Sequence, residues 1–211
     1  MAASVGRKAL RLILGVAIVG ALTATSAAQA GLIGTGSASY CNPSSTQAFA
    51  RWGDTANYAL FQNGGFESGS TSWGLSGGAK VVSGNEPFFL HGAGDKSSLL
   101  LPAGSSATSG TMCFALGDWH LRLMTRNVGS STGSLHVTVM VPSLVGGLLA
   151  VLDGGTVTGG TSWAPSPRLQ LTLSNVTSLL GTKAVAFRFT PVGRNAAYQI
   201  DDVYLDPWKC T

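Results

Sequence analysis

The chain has 211 residues, of which 13 are Lys or Arg and 9 are Asp or Glu. Charged residues make up 10% of it, where an ordinary soluble domain has about 25%, and hydrophobic residues make up 45%. This balance excludes a disordered chain, which combines low hydrophobicity with high charge, and the length allows one domain or two small ones.

The first 30 residues have the layout of a secretory signal peptide. A positive n-region, an apolar run and a small-residue cleavage site follow one another: Arg7, Lys8 and Arg11, then residues 12–22, then Ala28–Ala30. The apolar run is short of the roughly 20 residues that cross a bilayer. The sequence therefore predicts a secreted, extracellular protein that begins at Gly31 and has no membrane segment once the signal is removed. An uncleaved membrane anchor is the alternative.

Removal of the signal peptide changes the charge balance. Three of the 13 basic residues lie in it, which leaves ten basic residues against nine acidic ones. The remaining basic residues are scattered singly, whereas nucleic-acid binding needs a basic stripe. We therefore expect no nucleic-acid partner, and the sequence leaves the oligomeric state open.

The three cysteines, Cys41, Cys113 and Cys210, all follow the signal peptide. Export favours disulfides, and three cysteines allow one bridge. We predict a Cys41–Cys113 disulfide, because Cys113 lies in a stretch typical of a buried strand and Cys41 lies in a segment that needs tethering. Cys210 lies near the C-terminus, where chains fray, and is expected to stay free or to pair between chains.

Apolar residues alternate with polar ones along much of the chain. Four runs carry this pattern: Leu121 and Leu123; Leu135, Val137, Val139 and Val141; Leu169, Leu171 and Leu173; and Val185, Phe187 and Phe189. A period of two with Gly/Ser clusters between the runs predicts an all-β fold, an antiparallel β-sandwich. We predict a single sandwich domain over residues 52–211, after the signal peptide (1–30) and a Gly/Ser-rich lead-in segment (31–51).

The sequence predicts no enzyme active site. Gly74–Gly78 matches G-x-S-x-G, but a nucleophile elbow needs a helix after the serine, and a strand-like stretch follows here. We interpret this stretch as a turn and expect a non-catalytic protein.

Two motifs near the ends of the domain resemble one family of β-sandwiches. Asn63–Gly69 reads N-x-G-F-E-x-G and is followed by Trp73, and Tyr198–Leu205 contains I-D-D-V-x-L. Both resemble the first and last strands of galactose-binding-like jelly rolls, in particular carbohydrate-binding modules of the family 4, 9 and 22 type. The resemblance implies a jelly roll that binds a cell-wall or extracellular polysaccharide. The alternative is a structural or interaction protein with this fold and no sugar ligand.

Other stretches are similar to a group of small exported actinobacterial proteins. These stretches are Phe49–Asp54, Gly84–Pro87 and Ser98–Gly104. The similarity implies a stand-alone module without an attached catalytic domain.

The polar side of the central strands is the predicted ligand-binding face. The apolar residues of each strand must take the core side, so their polar neighbours share the opposite face. In the resembled modules that face of one sheet is a shallow groove for a sugar chain. In this chain no Trp or Tyr alternates onto the face, so Trp119 or Tyr198 at a groove end would supply the stacking ring. The predicted binding residues are Trp119, His120, Arg122, Arg126, His136, Thr138, Arg188 and Tyr198.

Asp201 and Asp202 are the only adjacent carboxylates of the chain. Neighbouring residues of a regular strand point to opposite faces, so the two act together only where the strand bulges. The resemblance implies a structural Ca²⁺ held by Glu67 with Asp201 or Asp202, and backbone carbonyls would complete the 6–8 oxygen ligands that calcium takes. The alternative is a carboxylate bonded to backbone N–H groups or to an arginine such as Arg188.

Overall fold

The computed structural model of the protein describes residues 40–41, 43–113, 119–143, 146–171 and 184–206. The predicted signal peptide and Cys210 lie outside these ranges. No helix among the described residues is long and apolar enough to span a membrane.

Short strands make up the regular structure of the described ranges, together with one 3₁₀ turn at Ala50–Trp52. In chain order they are β1 (Ser45–Thr46), β2 (Tyr58–Leu60), β3 (Trp73–Ser76), β4 (Lys80–Ser83), β5 (Ser97–Leu101), β6 (Ser106–Ser109), β7 (Met112–Cys113), β8 (Trp119–Asn127), β9 (Ser134–Pro142), β10 (Leu148–Val157), β11 (Ala164–Pro165), β12 (Leu169–Leu171), β13 (Ala184–Val192) and β14 (Tyr198–Leu205).

These strands form two antiparallel sheets. In the first sheet, β14 is central: it pairs with β8 along one edge and with β5 and β2 along the other, while β11 and β12 extend β8. The second sheet runs β10-β9-β13-β6-β3, with β7 beside β13. The predicted antiparallel β-sandwich is confirmed.

The main core fills the space between the sheets. Its strand residues are the apolar positions of the alternating pattern, and Leu121, Val137, Phe187 and Phe189 are all fully buried in it. The alternation in the sequence thus predicts correctly which residues of β8, β9 and β13 face the core.

A second apolar cluster covers the outward face of the first sheet. It contains Phe49, Tyr58, Met124 and Tyr204, all buried. Phe49 comes from the predicted lead-in segment, whose strand β1 also pairs with β2. Met124 alternates with Leu121 and Leu123 and so lies on the outward side of β8, and it is buried because the lead-in segment packs over that part of the strand.

The disulfide and the glycine-rich turns fix the ends of strands. Cys41 and Cys113 form the predicted bridge, with their Cα atoms 4.9 Å apart. Gly74–Ser76 belong to β3, and only Gly77–Gly78 form a turn before β4, so the prediction of a turn over the whole G-x-S-x-G stretch is confirmed for its last two residues alone. Gly77 has φ +62°, and a Cβ there would overlap the carbonyl oxygen of Gly104.

A bulge interrupts β14 at the two aspartates. The register with β8 shifts between Asp201 and Tyr204, and Asp202 has φ +47°. Such a bulge adds one residue to the strand and breaks the alternation of its faces. Asp201 and Asp202 therefore need not point to opposite faces of the sheet, as neighbouring residues of a regular strand do.

Candidate functional site

Three of the predicted binding residues lie on the outward face of β8. His120, Arg122 and Arg126 alternate with the buried Leu121 and Leu123 along this strand. The first sheet thus presents a row of basic side chains on its outward face. The side chain of Trp119, at the start of β8, is outside the described part of the structure.

Arg122 is held in a network around Asp54. The Arg122 Nη1 donates to Asp54 Oδ2 at 2.5 Å, and its Nε donates to the carbonyl oxygen of Ser166 at 3.0 Å. Tyr58 Oη donates to the same Asp54 oxygen at 2.8 Å, and Arg168 Nε lies 3.8 Å from it. Asp54 therefore has two arginines and a phenol on one carboxylate oxygen.

The electrostatics of this network favour an ionised Asp54. Burial alone would raise its pKa, but hydrogen bonds from Tyr58, the Ala56 N–H and Arg122, together with the nearby Arg168, lower it below the ordinary value. Burial and the Asp54 carboxylate raise the pKa of Tyr58 to about 12. Asp54 is thus an acceptor and Tyr58 a donor throughout the neutral pH range.

Aromatic rings accompany the arginines of this face. The guanidinium carbon of Arg122 lies 4.7 Å from the ring centre of Phe49, and that of Arg126 lies 5.2 Å from the ring centre of Trp163. Arg126 also donates through Nε and Nη2 to the side-chain oxygen of Gln199, at 2.9 and 2.6 Å. These contacts hold the long side chains in fixed positions.

An open depression lies above the Asp54 network. It has a volume of about 570 Å³ and is lined by Trp52, Gly53, Asp54, Thr55, Ala56, Arg122 and Arg168. Arg168 is 45% exposed, and its Nη2 lies 3.2 Å from His120 Nδ1. One carboxylate and two guanidinium groups give the depression a net positive charge.

The other predicted binding residues lie elsewhere. His136 and Thr138 are on β9, and Arg188 is on β13, both strands of the second sheet. The prediction that His136 and Thr138 share one face with the basic residues of β8 is therefore wrong. The physical reason is that β8 and β9 do not pair with each other: the chain crosses between the sheets after β8, and alternation within a strand does not say which sheet receives it.

The outward face of the second sheet carries hydroxyl, guanidinium and imidazole groups. Thr138 pairs in register with Arg188, whose Nε donates to Thr108 Oγ1 at 3.1 Å, and His136 Nε2 lies 3.0 Å from Asp153 Oδ1. Tyr198 is not a groove residue, because its ring is fully buried in the main core and its hydroxyl donates to the carbonyl oxygen of Gly133 at 2.8 Å.

A buried acidic group surrounds the bulge of β14. Glu86, Asp201 and Asp202 are all fully buried. Glu86 accepts from the N–H groups of Phe88 and Leu90, both at 2.5 Å, and Asp201 accepts from the N–H groups of Glu86 at 3.2 Å and Asp202 at 2.9 Å. Burial and the neighbouring carboxylates raise the pKa of both aspartates well above the ordinary value.

One set of side chains among the described residues can hold a metal ion. It consists of His91, Asp95 and Asp202, whose ligand atoms all lie within 4.8 Å of one another. Of the predicted metal ligands, only Asp202 belongs to it. Glu67 Oε1 instead accepts from the N–H groups of Lys96 at 2.8 Å and Ser97 at 2.7 Å, and Asp201 bonds to backbone N–H groups, the alternative weighed for these carboxylates.

The donors of this set do not match those of a calcium ion. Calcium takes about 6–8 oxygen ligands, whereas His91 offers a nitrogen and only Asp95 and Asp202 offer side-chain oxygens. Glu67, a ligand of the calcium site implied by the sequence resemblance, does not belong to this set, and that calcium site stays a prediction.

Sequence comparisons find no relative. A scan against models of protein families gives no match, and a search of curated proteins gives none either.

Comparison with solved structures finds carbohydrate-binding modules among the similar chains. TmCBM61 in complex with β-1,4-galactotriose is 19% identical, with a TM-score of 0.43, over 69% of this chain and 96% of that chain. The CBM22-1 xylan-binding domain from Paenibacillus barcinonensis Xyn10C is 16% identical, with a TM-score of 0.45, over 67% of this chain and 90% of that chain.

The enzymatically active domain of bacteriophage CBA120 tailspike protein 4 is also similar. It is 13% identical, with a TM-score of 0.49, over 69% of this chain and 21% of that chain. At such identities and TM-scores these likenesses assign neither a ligand nor an activity to this chain. The fold class rests on the two antiparallel sheets themselves, and a galactose-binding-like sandwich is the fold that the terminal motifs predict.

Several residues of these sites are marked by no motif or periodicity in the sequence. Asp54 and Arg168 belong to the depression, and His91, Asp95 and Glu86 surround the bulge. Most of them lie in loops between strands, where no periodicity marks a position. The one available signal was the number of polar residues in the loop 84–96, which carries two acidic residues and a histidine between two strands.

Proposed function

We propose that the protein is a non-catalytic carbohydrate-binding module and that the depression around Asp54 is its binding site. The observation that carries this proposal is the combination of Asp54, Arg122, Arg168 and Trp52 in one open depression. The predicted residues His120 and Arg126 flank it on the same strand.

The chemistry of the depression suits a sugar. Neighbouring hydroxyls of a pyranose both donate and accept hydrogen bonds, and a carboxylate beside guanidinium groups offers acceptors and paired donors in fixed geometry. The Asp54 network holds these groups before a ligand arrives, which lowers the entropy cost of binding. Trp52 adds an apolar ring at the margin.

The second sheet is a weaker candidate for the sugar site. The aromatic residues of its described strands are Trp73, Phe187 and Phe189, and all three are buried in the main core. Its outward face therefore offers hydroxyl, imidazole and guanidinium groups without a ring against which a pyranose can stack.

The site of action proposed for this module is outside the cell. The signal peptide motif supports export, and the Cys41–Cys113 disulfide suits an oxidising compartment. The terminal motifs that resemble carbohydrate-binding modules agree with a polysaccharide as the partner.

The test is retention of the chain from Gly31 onward on a panel of polysaccharides. Native affinity electrophoresis would use β-1,4-galactan, xylan, glucuronoxylan, cellulose and peptidoglycan. We expect retention by at least one polymer, and Arg168→Ala should weaken it about 10- to 100-fold, the value of one charge-assisted hydrogen bond.

Arg194→Ala is the matched control, because Arg194 is an exposed arginine in the turn between β13 and β14. It should bind like the parent. If Arg168→Ala also binds like the parent, the depression is not the site. If no polymer retains the parent, the alternative of a structural or interaction protein without a sugar ligand replaces the proposal.

A further inference from the structure

The carboxylate of Asp202 is poorly partnered among the described residues. The residue is fully buried, and neither Oδ1 nor Oδ2 makes a well-formed hydrogen bond there; its polar neighbours are the His91 N–H and the Glu86 carboxyl group. Glu86 and Asp201 are buried beside it, and within the described ranges none of the three forms an ion pair with a lysine or an arginine. Buried charge of one sign needs a compensating cation or proton.

Two further ligand atoms face this carboxylate. His91 Nδ1 lies 3.1 Å from Asp95 Oδ2, and both belong with Asp202 to the set of atoms that lie within 4.8 Å of one another. His91 and Asp95 come from the loop between β4 and β5, while Asp202 comes from the bulge of β14. Three donors from two distant parts of the chain thus converge on one point.

Gly65 leaves room between these donors. A Cβ at this position would lie 3.3 Å from Asp202 Oδ1 and 3.4 Å from His91 Nδ1. Any larger side chain would fill the space between the carboxylate and the imidazole. The glycine therefore keeps open the volume in which an ion contacts both.

We propose that His91, Asp95 and Asp202 bind a divalent ion of the zinc class rather than calcium. Imidazole suits zinc, copper and nickel, whereas calcium and magnesium take oxygen ligands. Two carboxylates and one imidazole supply three protein ligands, and a water can take the fourth position of a tetrahedral zinc site. The proposal goes beyond the sugar-binding function and does not depend on it.

Solvent reaches the site through His91. The His91 side chain is 44% exposed, and with Tyr40 and Leu60 it lines two adjoining surface depressions. The ion can therefore enter from the His91 side, while Asp202 closes the site from within. Once bound, the ion links the loop 84–96 to the central strand of the first sheet, so that it stabilises the fold.

The test is metal binding and thermal stability of the chain from Gly31 onward after treatment with EDTA. We expect equilibrium dialysis to show one Zn²⁺ per chain. Zn²⁺ at 100 times its Kd should raise the Tm by about 5–10 °C, while Ca²⁺ at the same concentration leaves the Tm unchanged. Co²⁺ in place of Zn²⁺ should give the visible absorption of a tetrahedral complex with mixed nitrogen and oxygen ligands.

His91→Ala and His136→Ala form a matched pair of variants. Both histidines sit beside an aspartate, but within the described ranges no third carboxylate joins His136 and Asp153 in a set of this kind. His91→Ala should weaken Zn²⁺ binding by at least about tenfold, because loss of a ligand costs no less than loss of an outer partner. His136→Ala should bind Zn²⁺ like the parent.

Three results would overturn the proposal. One is a parent chain that binds no Zn²⁺ in dialysis. Another is a Ca²⁺-dependent rise in Tm that His91→Ala leaves intact, which would assign an oxygen-only site to the carboxylates. The last is equal loss of Zn²⁺ in both histidine variants, which would show adventitious surface binding. Sugar retention is not a readout, so failure here leaves the proposed function untouched.

Discussion

Separation of Asp54 from Arg122 should destabilise the fold more than loss of any other ion pair among the described residues. The two side chains are 8% and 12% exposed, and they meet at 2.5 Å beneath the open depression. Asp54→Ala leaves a nearly buried guanidinium without its carboxylate and removes the acceptor of the Tyr58 hydroxyl.

The expected loss in the free energy of unfolding depends on how deeply the pair is buried and on the bonds that Arg122 keeps. Removal of one partner of a buried ion pair costs about 3–5 kcal/mol. Arg122 keeps its bond to Ser166 and its contact with the Phe49 ring, so we expect the lower end, about 3 kcal/mol. For a domain of this size that corresponds to a fall in Tm of about 6–12 °C.

The assay is a double-mutant cycle of Asp54→Ala and Arg122→Ala, measured by urea unfolding with the disulfide intact. We expect a coupling energy of about 2 kcal/mol at neutral pH. His136→Ala with Asp153→Ala is the control cycle, because those side chains are 39% and 79% exposed and ion pairs in such exposed positions contribute little to stability.

The coupling should also depend on pH in a defined direction. The folded-state pKa of Asp54 is lowered, so its contribution is present above the ordinary Asp pKa of about 3.9 and is lost as the pH falls through the lower folded-state value. A coupling energy no larger than that of the control pair, or one that survives full protonation of Asp54, would refute this account.

Three further predictions concern other parts of the chain. Cys41→Ser with Cys113→Ser should lower the free energy of unfolding by about 4 kcal/mol in the chain-entropy model, and reduction of the parent by dithiothreitol should lower its Tm to that of the variant. Gly77→Ala should cost roughly 3 kcal/mol, because it adds overlap with backbone to the strain of a positive φ, whereas Gly53→Ala, with open space around it, should cost about 1 kcal/mol in the same urea titration. The secreted protein should begin at Gly31, which intact-mass spectrometry checks; recovery of the full-length chain in membranes would contradict it.

Local patterns predicted the strands and their core sides because alternation is a property of each strand alone. Leu121 and Leu123 on β8, and Phe187 and Phe189 on β13, are buried as their spacing indicates. The disulfide was predictable for a similar reason, since few cysteines were available and one of them lay in an apolar strand.

The grouping of residues into sites was less predictable because it depends on pairing between distant strands. Arg122 and His136 have similar local patterns, yet one lies on each sheet. Asp202 left its expected face because of a bulge, and Met124 was buried by Phe49 and its neighbours, which lie about 75 residues earlier. Neither the bulge nor the burial can be predicted from the residues of the strand in which it occurs.

The central position of β14 restricts when the protein can fold. This strand bonds to β2, β5 and β8, so residues 198–205 supply partners to segments that precede them by as much as two thirds of the chain. A nascent chain that lacks these residues has a gap in the middle of the first sheet and leaves β8 unpaired on that side. Such long-range pairing slows folding to the millisecond-to-second range. We therefore expect the sandwich to close only after its central strand has been synthesised.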